Sequence, residues 1–183
     1  MSAMTMITGQ KIVLRPYTSD DAQVIYESVQ NPTLRRLTGT HQNFTLEATQ
    51  RYVASYARAE DRAGWIIAQP ESYKALGEVV ILDINEDNRS AGIRIAMFGE
   101  EHLNKGYGSE AMCLAVDYGF RTLKLHRIEL TVYDFNERAI HVYEKIGFKR
   151  EGVLRDALLY DGEFHDAIIM GVLESEWPSP SSA

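Results

Sequence analysis

The chain has 183 residues, 45% of them hydrophobic, enough to bury one substantial core, and it fits a single domain over 1–183 better than two. Its formal net charge of −7 argues against broad attraction to nucleic-acid phosphates or anionic lipids and favours a cationic partner. Cys113, the only cysteine, excludes an internal disulfide and a cysteine-based zinc cluster and fits a reduced compartment.

No apolar run approaches the roughly 20 residues that span a bilayer, and the start MSAMTMITGQK lacks the basic-then-apolar order of a signal peptide. The expectation is a cytoplasmic protein with no membrane or nucleic-acid partner. Residues 1–10 and 178–183 are expected to be flexible, the latter because two prolines interrupt a short polar tail.

Lys11 to Arg15 alternates polar and apolar side chains and predicts a first strand ending at Pro16. Thr18 or Ser19 then caps a helix whose apolar stripe is Ala22, Ile25, Tyr26 and Val29, and Asn31-Pro32 stops it. Thr33 to Phe44 has no clear period and reads as irregular, and a second helix begins at Thr45 with Leu46, Tyr52, Val53 and Tyr56 inward. Gly64 to Ala68, Leu76 to Ile84 and Ala91 to Phe98 read as strands whose short connections make them antiparallel neighbours.

From Lys105 to Leu123 the apolar period lengthens to that of a helix. Arg127 to Tyr133 alternates as a strand, and Asn136 to Lys145 reads as a helix capped by Asn136 and stopped by Gly147. Phe148 to Tyr160 and Glu163 to Leu173 form a hairpin through Asp161-Gly162. The sum is a mixed α/β (α+β) domain of mostly antiparallel strands with one strand-helix-strand crossover in its second half.

Two segments carry chemistry. Leu103-Asn104-Lys105-Gly106-Tyr107-Gly108-Ser109 is a glycine-bearing turn directly before the long helix. There the backbone can approach a ligand closely, and the free N–H groups of the first helical turn favour a pyrophosphate. The second segment is the capped helix from Asn136 to Phe148, in which Asn136 and Tyr143 lie seven residues apart, close to two turns, and so face the same side. Each half has an ordinary reading as well: a helix start with two glycines, a plain N-cap, a core aromatic.

Together the two segments resemble the acetyl-CoA site of the GCN5-related N-acetyltransferase (GNAT) superfamily, over about Lys11 to Trp177. Leu14-Arg15-Pro16, Asn136…Tyr143…Gly147-Phe148 and Asp161-Gly162…Asp166…Met170 look like the branch that modifies ribosomal-protein N-termini, with its spermidine-acetylating relatives. The resemblance implies a twisted sheet of six to seven strands with about four helices, splayed between the fourth and fifth strands. It implies acetyl-CoA as co-substrate, no metal, and a small-molecule amine or a peptide N-terminus as acceptor; a homodimer is common among such proteins. By the same resemblance the turn from Leu103 to Ser109 holds the CoA pyrophosphate, the strand end at Ala96, Met97 and Phe98 pairs with the pantetheine arm, and Asn136 bonds it. Tyr143 stands beside the thioester sulfur. The acceptor region would include the first two helices and the hairpin from Tyr160 to Phe164.

The chain departs from the family pattern at Leu103, where Arg or Gln is usual, and at Asn104, often glycine. A glutamate that many relatives carry near Ser90 or Ala91 as base has no counterpart here.

Acetyl transfer needs a neutral amine, donors for the developing oxyanion and a proton for the departing thiolate. A backbone N–H of Met97 or Phe98 suits the second task. Tyr143, with an unperturbed pKa of ~10, suits the third. The base is open among Glu78, Asp83, Glu86, His165 and water. His41, His102, His126, His141 and His165 show no metal-like spacing.

Two rival readings stand. A degenerate acyl-CoA-binding sensor would keep the turn and lose the chemistry. A nucleotide-dependent oxidoreductase would use Gly106-Tyr-Gly-Ser-Glu-Ala111 as G-x-G-x-x-A, although the residues from Gly99 to Lys105 separate that motif from its strand.

Overall fold

The computed structural model describes residues 5–178; the expected flexible segments at 1–4 and 179–183 lie outside the described residues. One eight-stranded sheet forms the centre, in the order β1-β2-β3-β4-β5-β6-β8-β7. Its strands are β1 (Ile7–Thr8), β2 (Val13–Arg15), β3 (Ala63–Ala68), β4 (Ala75–Asn85), β5 (Ser90–Met97), β6 (Arg127–Tyr133), β7 (Lys149–Tyr160) and β8 (Glu163–Leu173). The helices are α1 (Asp21–Ser28), α2 (Pro32–Thr38), α3 (Leu46–Ser55), α4 (Tyr107–Arg121) and α5 (Glu137–Ile146).

Strands β1 to β5 pair antiparallel in chain order, β5 and β6 pair in parallel across α4, and β8 pairs antiparallel with β6 and β7. β3 is buried along its whole length, and alternation splits it between the two sides of the sheet. Trp65 and Ile67 join the larger core under α4 and α5 with Met112, Phe120, Ile128 and Phe148. Ile66 and Ala68 join a smaller core with Ala22, Ile25 and Val53, beneath α1 and α3. The fully buried Trp65 side chain donates from Nε1 to Thr5 O at 3.1 Å.

Three expectations are corrected. Thr33 to Phe44 is not irregular throughout, because α2 occupies its first half: Asn31 caps it by accepting from Leu34 N at 3.1 Å, Pro32 takes the first turn and Gly39 closes it at φ 62°. Asn31-Pro32 therefore starts a helix as well as ending one, and a seven-residue helix that buries only Leu34 leaves no apolar period to read.

The α1 cap is Asp20, with no side-chain cap bond, rather than Thr18 or Ser19. The polar residues there serve a tertiary contact instead. The buried carboxylate of Asp21 receives Arg15 in a two-point pair at 2.9 and 2.7 Å and the Thr18 N–H at 2.7 Å. Finally, the first strand begins at Val13 rather than Lys11, and β1 precedes it inside the segment expected to be flexible, so strands and helices number eight and five among the described residues. Here no helix is long and apolar enough to cross a membrane.

Candidate active site

The ladder between β5 and β6 is short. Ser90, Ala91 and Gly92 pair with Arg127, Ile128 and Glu129, after which β5 runs on to Met97 and β6 to Tyr133 without pairing to each other. This is the splay expected between the fourth and fifth strands, now the fifth and sixth because β1 adds one. A cleft of about 830 Å³ opens at it, lined by Ile93 to Met97 of β5 and Leu130 to Tyr133 of β6, and by parts of α1, α2, α4 and α5.

One wall is the glycine turn. Asn104 and Gly106 both take positive φ, 61° and 81°, and Gly106 is the N-cap of α4 with no side-chain cap. The first α4 bond runs from Glu110 N to Gly106 O at 3.1 Å, so the N–H groups of Tyr107, Gly108 and Ser109 precede the ladder. Glu110 fastens this helix start to the β1–β2 turn by accepting the backbone N–H groups of Gln10 and Lys11. At Gly108 a Cβ would lie 3.5 Å from Ile95 Cδ1, ordinary contact, so protein packing does not demand glycine there. What a side chain would fill is space on the cleft side, which suits close approach of a phosphate to the backbone.

Ten of the twelve residues singled out from sequence line the cleft: Ala96, Met97, Leu103, Asn104, Gly106, Tyr107, Gly108, Ser109, Asn136 and Tyr143. Phe98 and Lys105 do not. The Phe98 side chain is buried in the smaller core and its N–H is spent on Leu76 O at 2.8 Å, so it is no oxyanion donor. Successive N–H groups of a strand point to opposite sides, so the Met97 N–H points away from β4 and into the splay. Lys105 is exposed, and its carbonyl accepts from Lys11 Nζ at 3.4 Å.

Asn136 caps α5 through Oδ1, accepting from Ala139 N at 3.3 Å, which leaves its Nδ2 as a donor on the cleft side. Tyr143 packs against Phe148 with ring centroids 6.1 Å apart, and its hydroxyl has no hydrogen-bond partner among the described residues. Burial pushes its phenol up to about 12, against a smaller opposing effect of Arg138.

None of the four candidate bases lines the cleft. Asp83 and Glu86 lie toward the Asn85–Ser90 end of the sheet, where β5 and β6 remain paired. His165 faces Asp134, 3.3 Å away, and meets Phe135 edge-on at 4.8 Å. Glu78 is 5% exposed and already satisfied: Tyr17 donates at 2.6 Å, Tyr52 at 3.0 Å, and Arg94 stands 3.4 Å away. Burial first, then the charge of Glu78, pushes the Tyr17 phenol well above its ordinary range. Burial alone would lower the Arg94 guanidinium, but Glu78 together with the Tyr52, Tyr56 and Tyr17 hydroxyls outweighs it and raises the group.

Sequence reasoning missed Arg94, Tyr133 and Phe135, all of which line the cleft. Arg94 falls two residues before Ala96 on one strand and so shares its face, a signal the alternation alone could have given.

Comparison with known proteins bears on this arrangement. An SPbeta prophage-derived N-acetyltransferase of Bacillus subtilis is 27% identical over 175 residues, covering 96% of this chain and 97% of the relative. The spermidine N(1)-acetyltransferase of Escherichia coli K12 is 29% identical over 174 residues, covering 94% and 91%. The crystal structure of spermidine N-acetyltransferase from Vibrio cholerae in complex with CoA and spermine superposes with a TM-score of 0.85 at 25% identity, covering 92% of this chain and 98% of that one. The family description "Acetyltransferase (GNAT) domain" matches residues 11–149, well over half of the sequence, and we conclude that the chain belongs to the GNAT acetyltransferase family and is an acyltransferase.

Proposed function

We propose that this chain transfers the acetyl group of acetyl-CoA to a primary amine, a small-molecule amine such as a polyamine or the N-terminus of a peptide such as a ribosomal protein, by direct attack. The observation that carries the reading is the convergence on one cleft of the β5 end where it parts from β6, the glycine turn, Asn136 and Tyr143. The CoA complex of the Vibrio cholerae relative supports acetyl-CoA as co-substrate, and the relatives' names support an aliphatic amine as acceptor.

In this reading the N–H groups of Tyr107, Gly108 and Ser109 hold the pyrophosphate at the positive end of α4. The Nδ2 of Asn136 bonds the pantetheine, and the N–H of Met97 receives the charge that develops on the thioester oxygen. The amine nitrogen bonds the carbonyl carbon, the carbon–sulfur bond breaks, and the nitrogen gives its proton to water. Tyr143 delivers a proton to the sulfur and is reprotonated from solvent. Its pKa, raised by burial, keeps it protonated and so able to donate at neutral pH. With Glu78 occupied and Asp83 and Glu86 outside the cleft, solvent is the proton acceptor in this reading.

A thiol-release assay with acetyl-CoA against spermidine, basic N-terminal peptides, amino acids and aminoglycosides tests this. Release dependent on one amine class supports it. Tight acetyl-CoA binding without release on any amine refutes it in favour of a sensor.

A further inference from the structure

The charge of the cleft runs against the charge of the chain. The net charge is −7, yet the charged Arg, Lys, Asp and Glu side chains lining the cleft are Arg35, Arg94, Arg138 and a single carboxylate, Glu137. Arg138 and Glu137 sit in the first turn of α5 beside Asn136, on the side assigned above to the cofactor. Arg35 is spent: its guanidinium donates to the carbonyls of Val29, Gln42 and His41 at 2.9, 3.1 and 3.2 Å.

Arg94 is not spent. Its side chain is 48% exposed and is held from behind by Glu78 at 3.4 Å and by the Tyr52 hydroxyl, with the guanidinium carbon 5.7 Å from the Tyr52 ring centroid. Both polar partners take Nη2, whereas Nε and Nη1 have no partner among the described residues. Alternation along β5 puts Arg94 on the face of Ala96, toward α1 and α3, and about 7 Å along the strand from it. The free Nε–H and Nη1–H lie on different edges that share the engaged Nη2, so each can give a carboxylate a single charge-assisted hydrogen bond, which an ammonium group cannot accept.

We propose that Arg94 sets acceptor specificity by receiving a carboxylate carried a few bonds from the reacting amine, so that an amino acid or an acidic peptide N-terminus is acetylated in preference to a polyamine. This rests on the reading of the cleft as an amine acetyltransferase site. It also reverses the cationic partner that the bulk charge suggests, because the recognition chemistry is local. Glu78 acts as the positioning residue that holds Arg94 in place.

The test is thiol release with acetyl-CoA and matched acceptors: free amino acids and their carboxamides, short peptides with Asp or Glu at the first or second position and their Asn or Gln counterparts, and spermidine. The expected result is a preference of about tenfold or more for each active acid over its amide, and for that acid over spermidine. Activity confined to free amino acids identifies the α-carboxylate, and activity on acidic peptides the side chain; both support the proposal. Arg94→Lys keeps the pair with Glu78 but loses the free Nε–H and Nη1–H donors, and should raise KM for the acid about tenfold while KM for acetyl-CoA stays unchanged. Arg94→Gln combined with Glu78→Gln removes the buried charge that a single substitution would strand, and should equalise acid and amide. Transfer that favours spermidine, or that treats acid and amide alike in the unmodified protein, overturns the proposal and leaves the transferase reading standing. Absence of transfer to every amine overturns both.

Discussion

Replacing Tyr143 by Phe separates chemistry from folding unusually well in this protein. The phenol has no hydrogen-bond partner among the described residues, and the ring keeps its contact with Phe148. The backbone carbonyl of Tyr143 still accepts from Gly147 and Phe148 at 3.1 and 2.9 Å, so the end of α5 is unaffected. Stability should change by no more than about 0.5 kcal/mol, the usual range for a substitution that breaks no buried contact. If the hydroxyl supplies the proton to the leaving sulfur, kcat should fall by roughly 10²–10⁴, or about 2.7–5.4 kcal/mol at ~1.36 kcal/mol per decade. KM for acetyl-CoA should barely move, because the proton is needed only as the carbon–sulfur bond breaks. The pH profile carries the same logic. A group raised to about 12 stays protonated, and therefore active as an acid, at every pH below that value. kcat/KM should climb as the acceptor amine loses its proton and show no falling limb up to about pH 10. Steady-state thiol release for both proteins decides it. A variant within threefold of the parent in kcat, or a falling limb near pH 8–9 that the variant lacks, would refute the assignment.

Asp21→Asn should cost about 3–5 kcal/mol, because it leaves the nearly buried Arg15 without its counter-charge. Thermal unfolding should show a Tm lower by roughly 6–20 °C. Burial would raise the Asp21 carboxyl, but the bonds from Arg15 and the Thr18 N–H outweigh it and hold it below the ordinary range. Its contribution is therefore present above the unfolded-state pKa and lost as pH falls through the folded one, so the parent–variant gap should close in acid and stay open at neutrality. Gly108→Ala should leave the fold intact or stabilise it by up to about 1 kcal/mol, since the added methyl meets only ordinary contact. It should nonetheless weaken acetyl-CoA binding, by about tenfold or more in calorimetry if the first turn of α4 holds the pyrophosphate. An unchanged Kd would remove that role from the turn. Asn136→Asp retains the cap acceptor and loses the Nδ2 donor, so it should raise KM for acetyl-CoA at near-parental stability; Asn136→Ala should also lose about 0.5–2 kcal/mol. Equal KM values in all three proteins would reduce Asn136 to a cap.

The legible parts of this chain are those with a long period or a strong stop. β6 and β8 have the bounds that alternation gives, and α4 and α5 begin and end within two residues of their caps. The side of the cleft built from the start of α4 and one face of α5 was readable for the same reason. The side toward α1, α2 and α3 was not. α2 is too short to show a period, and Asp21 looks like a dipole-complementing first-turn acid when it is in fact half of a buried ion pair. Glu78 shows the same failure from the other direction: as a residue type it is a fit base, and only its three partners reveal that its lone pairs are committed. The lesson is about range. Contacts such as Tyr17 to Glu78, or Arg94 to Tyr52, join residues from different elements, and no local pattern encodes them.

The end of β5 presents two chemically different faces to the cleft. Its N–H groups alternate between β4 and the splay, so Phe98 is tied to Leu76 while the Met97 N–H is left to face the cleft. Its side chains alternate between the two cores, so Ile93 and Ile95 face α4 while Arg94 and Ala96 face α1 and α3. A slip of one residue would exchange these sets, placing the guanidinium in the larger core and exposing Ile93, which is 4% exposed in the observed register. Burial of Ile93 and Ala91 therefore fixes not only the sheet but also which way the strand offers its donor and its positive charge. The polar geometry at this end of the cleft is in this sense a consequence of the apolar packing along the same strand.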